Sequence, residues 1–166
     1  STPDEAHRRR TMEIYQREAD LARQLLGVPG PAPVVVHPAA PIPEGQTLGA
    51  NEQQGRLTPL RRSLYDLARI GEAAGAVFLI DNLPYNCWCG QDPLELTAML
   101  GEFGSPYLQL CYDTGHARIT GTGSVADRLS AVAGRLGYLH IHDNDGTIDD
   151  HRMPGEGDID WPAVSA

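Results

Sequence analysis

Residues Tyr138–Gly157 read YLHIHDNDGTIDDHRMPGEG, and the rest of the chain is best understood outward from them. The stretch carries three histidines (His140, His142, His151) and four aspartates (Asp143, Asp145, Asp149, Asp150) behind an apolar lead-in. A solvated acidic loop rarely holds so many imidazoles. Neutral imidazole nitrogens and carboxylate oxygens converging from one rim are what a divalent metal ion requires. The lead-in Tyr138-Leu139-His140-Ile141-His142 alternates apolar and polar, which predicts a strand with His140 and His142 on one face. The plainer reading is a hydrogen-bonded core histidine beside an acidic turn. It accounts for any one of these residues better than for all of them together.

Upstream, the same pattern recurs. Val34-Val35-Val36 ends in His37, Ala76–Ile80 ends in Asp81-Asn82, and Tyr107–Tyr112 ends in Asp113-Thr114-Gly115-His116. Three consecutive valines suit a strand buried on both faces, as in a parallel sheet. Helical patterns lie between these runs. The first covers residues 4–27, with Ile14, Leu21, Leu25 and Leu26 as its apolar stripe and Gly27 at its end. Arg8-Arg9-Arg10 on it reads as a solvated face. The Pro/Gly segment Val28–Pro33 leads into the valine strand. Residues 39–57 lack periodicity and predict a long loop, after which Thr58-Pro59 offers an N-cap and a first-turn proline. Leu60, Leu64, Leu67 and Ala68 form the stripe of that helix. Asp92-Pro93-Leu94-Glu95 opens another, with Leu96, Met99, Leu100 and Phe103 inward and Gly104 at its end. A further helix is predicted from Ser124 to Leu136, stopped by Gly137, and Ile159–Pro162 enters one more.

Strands alternating with helices predict an α/β fold with a parallel sheet and right-handed crossovers. In such a fold the C-terminal ends of all the strands share one rim. His37, Asp81, Asp113 with His116, and His140 with His142 therefore meet there, although they are far apart in sequence. That convergence is the main argument for a site.

Composition narrows the chemistry. The 166 residues carry a formal charge of −9 with pI about 5.0, so a nucleic-acid partner is disfavoured. All 13 residues in the Lys+Arg count are arginines, which rules out a Schiff base or lysine general base from this chain. No apolar run of membrane-spanning length occurs and no signal-peptide pattern opens the sequence, so the expectation is a cytoplasmic protein with no membrane partner. Cys87-Trp88-Cys89 lacks a second pair to complete a zinc site, and Cys111 reads as a small buried side chain. Gly155-Glu156-Gly157 does not precede a helix at phosphate-loop spacing, so it reads as a turn that orders the histidine loop.

Taken in order, four motifs resemble the xylose isomerase-like TIM barrels, and within them the sugar phosphate isomerases/epimerases. They are His37-Pro38, Asp81-Asn82-Leu83-Pro84, Asp113-Thr114-Gly115-His116-Ala117 and His140-Ile141-His142-Asp143-Asn144-Asp145. The tail from Asp149 to Trp161 is similar to the loop after the seventh strand of that family. The resemblance spans about residues 34–161. It implies a (β/α)8 barrel with a divalent metal ion (Mn, Co, Mg or Zn) at its rim, acting on a small sugar through an enediolate. By motif match Asp81, Asp113 and His140 would be metal ligands. Asp81 and His116 would be catalytic, Asp81 as the first of two proton-moving carboxylates whose second would lie on the last strand, and His116, His142, Arg152 and Glu156 would bind substrate. The related endonuclease IV pattern would add His37, His116, Asp149 and His151 as metal ligands, and with them an alternative activity, phosphodiester cleavage. An inactive fragment or binding module is the third reading.

The chain departs from the family in two ways. Asp81-Asn82 stands where glutamate-asparagine is usual, one methylene shorter. The length is far below the roughly 250 residues of a TIM barrel. Residues 1–166 are therefore expected to form a single incomplete barrel domain of about four strands, with the first strands and the last one missing. Open edges of that kind favour a homo-oligomer.

Overall fold

The structure, a computed structural model, describes residues 4–27, 30–121 and 123–166. Within the segment Val28–Pro33, residues 28 and 29 lie outside that description. Four parallel strands form one sheet in the order β1-β2-β3-β4: Ala32–Val36, Ala76–Asp81, Leu108–Asp113 and Leu136–His140. Helices run beside them: α1 (Glu5–Leu26), α2 (Ala50–Ala74), α3 (Pro93–Gly101), α4 (Thr114–Thr120), α5 (Val125–Val132) and α6 (Trp161–Val164). The parallel sheet is what the alternation predicts, and its curl into half of a barrel is what the resemblance implies.

The sheet has two unlike faces. Phe78, Ile80, Leu108, Leu110 and Tyr112 are fully buried beneath the helices. Burying an aromatic or branched side chain of this kind contributes about 1.5–3 kcal/mol. Val77, Leu79 and Cys111 form a separate small cluster on the other face, the floor of the half-barrel. Register pairs Leu79 with Gln109 and Asp113 with His140, so the acidic and imidazole side chains end level with one another. Gly137 sits where any side chain would collide with Leu79 and Gln109, and the register slips by one between Leu110 and Cys111 to fit it.

Several sequence expectations change here. The valine strand is buried on one face only, because β1 is an edge strand and its floor side has no opposite wall; Val35 is 38% exposed. Ile14, Leu21, Leu25 and Leu26 of α1 are likewise exposed. The helix instead turns Ala19, Met12, Tyr15 and Ala22 to the core, with the Tyr15 ring edge-on to Phe78 at 5.9 Å. Arg8 is no solvated residue; it is buried and bonded to Glu5 at 2.8 Å and to Asp66 of α2. Helix α2 begins at Ala50, eight residues ahead of Thr58, and takes Pro59 into its interior. Glu52 accepts from the Gly49 amide at 3.0 Å and starts the helix there, a signal that the Thr-Pro pair masked. Helix α5 stops at Val132 and Leu136 already belongs to β4, so Gly137 shapes the floor of the barrel and ends no helix.

Candidate metal and substrate site

Each strand of the half-barrel delivers its last polar side chain to the rim. Asp81 ends β2, Asp113 ends β3 and His140 ends β4, while His37 follows β1 directly. Asp81 is 1% exposed, and neither carboxylate oxygen has a hydrogen-bond donor. His37 Nε2 and His140 Nδ1 each approach Asp81 Oδ2 to 3.4 Å, and His140 Nδ1 lies 3.5 Å from Asp113 Oδ2. Ligand atoms bound tetrahedrally at about 2.1 Å from one ion stand about 3.4 Å apart. The rim thus has the spacing of a metal cradle. Burial pushes the Asp113 carboxyl above its ordinary value, and nearby Asp81 adds to this against the opposing pull of His116 and His142. The pull of the neighbouring Asp81 carboxylate raises His37 above its ordinary value. Asp81, Asp113 and His116 bring ligand atoms within 4.8 Å of one another, a group that could hold a cation.

A second group lies beside the first: His116, His142, Asp149 and His151, whose ligand atoms fall within 4.8 Å of one another. Asp113 caps α4 by accepting from the His116 amide at 2.8 Å, which fixes that histidine in the first turn. His116 Nδ1 is 2.7 Å from the Asn82 carbonyl. A carbonyl only accepts, so Nδ1 carries the proton. Nε2 then faces Asp149 Oδ2 at 3.2 Å as a second acceptor, and a proton or a metal ion must lie between them. His142 Nε2 meets Asp113 Oδ1 at 2.8 Å, while its buried Nδ1 has no partner. The His142 and His151 rings stack at 4.0 Å. The left-handed backbone of His151, at φ 50°, turns its ring onto that stack.

Groups that sequence reasoning left unassigned hold these side chains in place. Asn82 binds β3 twice, accepting from the Asp113 amide at 2.8 Å and donating to the Asp113 carbonyl at 3.1 Å. Thr114 ties to the His142 carbonyl at 2.8 Å. Gly115 is required because a Cβ there would enter the His142 ring. Asp143 is fully buried and gathers the loop behind it. It accepts from Gly155 N at 2.9 Å, Trp161 Nε1 at 2.7 Å and Ile159 N at 3.2 Å. Burial is the largest influence on its carboxyl and acts upward, yet these donors together hold it below its ordinary value. Asn82, Asp143 and Asn144 stand inside the quoted motifs, so their presence was legible, but their duty as struts was not.

Two of the expected substrate residues stand outside both groups. Arg152 is engaged by Asp150 at 2.6 Å and Asp145 at 2.8 Å, and its backbone pairs with Asp143. Glu156 accepts from the Met153 amide at 3.1 Å in the turn that Gly155 and Gly157 shape around Asp143. A cavity of about 310 Å³ opens above the rim, lined by His37, Asp81, Asp113, His116, His140 and His151 among others. Its size suits a small polar molecule.

Known proteins share this fold. The Methanocaldococcus jannaschii protein MJ1311 is 30% identical over 133 residues, which cover 79% of this chain and 44% of that protein. A crystal structure of a D-tagatose 3-epimerase-like protein is 27% identical, with a TM-score of 0.83 over 99% of this chain and 59% of its own. A structure of IolI protein with a bound zinc atom has the same fold at 19% identity, with a TM-score of 0.73 over 98% of this chain and 56% of its own. The chain thus spans about half the length of the proteins it matches. The family model described as a xylose isomerase-like TIM barrel matches residues 1–166, and the chain belongs to that family.

Proposed function

We propose that this chain carries the metal-binding half of a sugar isomerase or epimerase site. One observation carries the reading: the buried Asp81 carboxylate has no donor, yet two imidazoles flank it at the spacing of ligands around one ion. Asp81, Asp113 and His140 would hold a divalent metal ion, with His37 completing the set, and Asp149 and His151 belong to the neighbouring group. The D-tagatose 3-epimerase-like protein and the zinc-bound IolI structure support the same reading.

When bound, the ion supplies Lewis-acid polarisation of adjacent carbonyl and hydroxyl oxygens, which acidifies the carbon-bound proton. The protein's own groups do the rest. Asp81 is placed to take or return a proton at the carbon next to the carbonyl. His116, with Nδ1 fixed on Asn82, presents Nε2 toward the cavity and with Asp149 orients a substrate hydroxyl. His151, stacked on the buried His142, walls the cavity. The donor set of imidazole and carboxylate suits Mn, Co, Mg or Zn. The reading places the chemistry in the cytoplasm and takes a small sugar as its only partner besides a second copy of the chain.

Calorimetric titration of the EDTA-stripped chain with Mn, Co and Zn tests this. Saturable binding that Asp81→Asn and His140→Ala abolish is expected. Absence of saturable binding by the unaltered chain overturns it. The second group, His116, His142, Asp149 and His151, is the one observation that favours an endonuclease IV-like phosphodiesterase. With a charge of −9 opposing a nucleic-acid partner, no cleavage of an abasic duplex is expected.

A further inference from the structure

Away from the rim, a cavity of about 730 Å³ opens between the first turns of α2, helix α3 and the N-terminal half of α5. Arg128 of α5 lines it and is only 9% exposed. Its guanidinium lies across Gly121, at a place where any Cβ would coincide with it. Of the five donors that a guanidinium carries, one goes to the Ala117 carbonyl at the end of α4. Nε is buried and has no partner. None of the ion pairs among the described residues includes Arg128. Every other buried arginine or rim histidine described above faces a carboxylate. A buried cation without a counter-charge is costly, and a fork of free donors matches an oxyanion.

The rest of the wall indicates what accompanies that oxyanion. Gln53, Gln54 and Gln91 offer amides that both donate and accept, as hydroxyl groups need, and Trp88, Leu57 and Met99 supply apolar surface. Asp92 and Glu95 stand at the exposed mouth, and Asp92 is already engaged by the Leu94 amide at 2.8 Å. Solvent screens both acids, whereas the buried arginine at the floor is screened little.

We propose that this cavity is a second ligand site, in which Arg128 anchors the oxyanion of a polyhydroxylated small molecule, a sugar acid or a sugar phosphate. The glutamines take its hydroxyls. The site shares none of its lining with the rim cavity, so it binds independently of the metal.

The test is calorimetric titration of the EDTA-treated full chain at low salt. Four probes are used: gluconate, glucose 6-phosphate, glucose and inorganic phosphate. Saturable binding of one of the two sugar anions is expected, and which of them binds identifies the oxyanion. Glucose and phosphate, each offering half of the chemistry, should bind at least about tenfold more weakly, because a hydrogen bond to a charged group is worth about 1.5–3 kcal/mol. Arg128→Gln should weaken the sugar anion by about tenfold or more on the same ground. Since Arg128 also holds α4, a second pair of variants leaves it alone. Leu94 is exposed at the mouth. Leu94→Arg should tighten the sugar anion and Leu94→Glu should loosen it, each by about fivefold, and added salt should shrink both effects. No binding of either anion to the unaltered chain overturns the proposal. So does binding that is indifferent to both Leu94 changes.

Discussion

Asp143 shows how much one side chain decides at the scale of the residue. Its two oxygens receive Gly155, Ile159 and the Trp161 indole, and the Asn144 amide adds a further bond at 2.9 Å. Replacing it by alanine leaves several buried donors without an acceptor. The expected cost is on the order of 3 kcal/mol, read from urea unfolding, since each bond to a charged group is worth about 1.5–3 kcal/mol and losses at one hub are not additive. Asp143→Asn keeps the shape but turns an NH2 group against one pair of these N–H donors, so it should cost about as much. The rim residues His37, Asp81, Asp113 and His140 were legible in the sequence because each ends an apolar run, and strand ends in a parallel sheet are forced to one rim. Asp143 and Asn82 were not legible as struts. A carboxylate that binds backbone amides and one that binds a metal read alike until the donors around them are placed.

At the scale of the element, the strands were the readable part, and the helix boundaries were not. Continuous apolar runs are confined by burial, whereas a helix can start at any local cap. Helix α2 takes Gly49 and Glu52 in preference to Thr58-Pro59 because the earlier start adds turns without losing the later stripe of Leu60, Leu64 and Leu67. The stripe of α1 was misread for a related reason: its period fits two faces, and the sheet accepts the one bearing Ala19 and Tyr15. Gly71 of α2 gives a quantitative check. Glycine-to-alanine in a helix interior normally gains about 1 kcal/mol. At Gly71 a Cβ would stand 2.6 Å from the Ala76 carbonyl oxygen and 2.9 Å from Tyr107 Cβ. Gly71→Ala is therefore expected to lose about 1–3 kcal/mol, the usual cost of overpacking, by the midpoint and slope of urea unfolding. The α1–α2 contact is expected to depend on pH through Glu5, whose carboxyl is held at about 2 against an ordinary 4.5, chiefly by its hydrogen bonds from Arg8. A lowered acid pKa stabilises the folded chain above the ordinary value and is lost as pH falls through the folded one. The difference in unfolding midpoint between the chain and Glu5→Gln should be constant above pH 5 and shrink progressively below it. A difference that grows on acidification would contradict the ion pair.

For the molecule as a whole, the sheet order leaves one free edge on β1 and another on β4, and the floor of the half-barrel is exposed along those two strands. Val35 and Tyr138 are 38% and 49% exposed on those strands. A parallel sheet is normally covered on both faces. The 166-residue chain on its own is expected to self-associate, with a sedimentation coefficient that rises with concentration. Tyr138→Lys should lower that association, and a coefficient independent of concentration would show that the open face is tolerated. The Asp143 clasp has a different consequence. Residues 144–158 are joined to the body of the protein by the bonds on the two Asp143 oxygens, by the backbone pairing of Asp143 with Arg152, by Arg118 with Asp158 at 2.7 Å and by His116 with Asp149 at 3.2 Å. To a protease such a loop is a gate with several latches, and the buried carboxylate is the innermost of them. Once it is gone the peptide bonds around Asp149 and His151 are held only by the outer latches, and they become easier to cleave together.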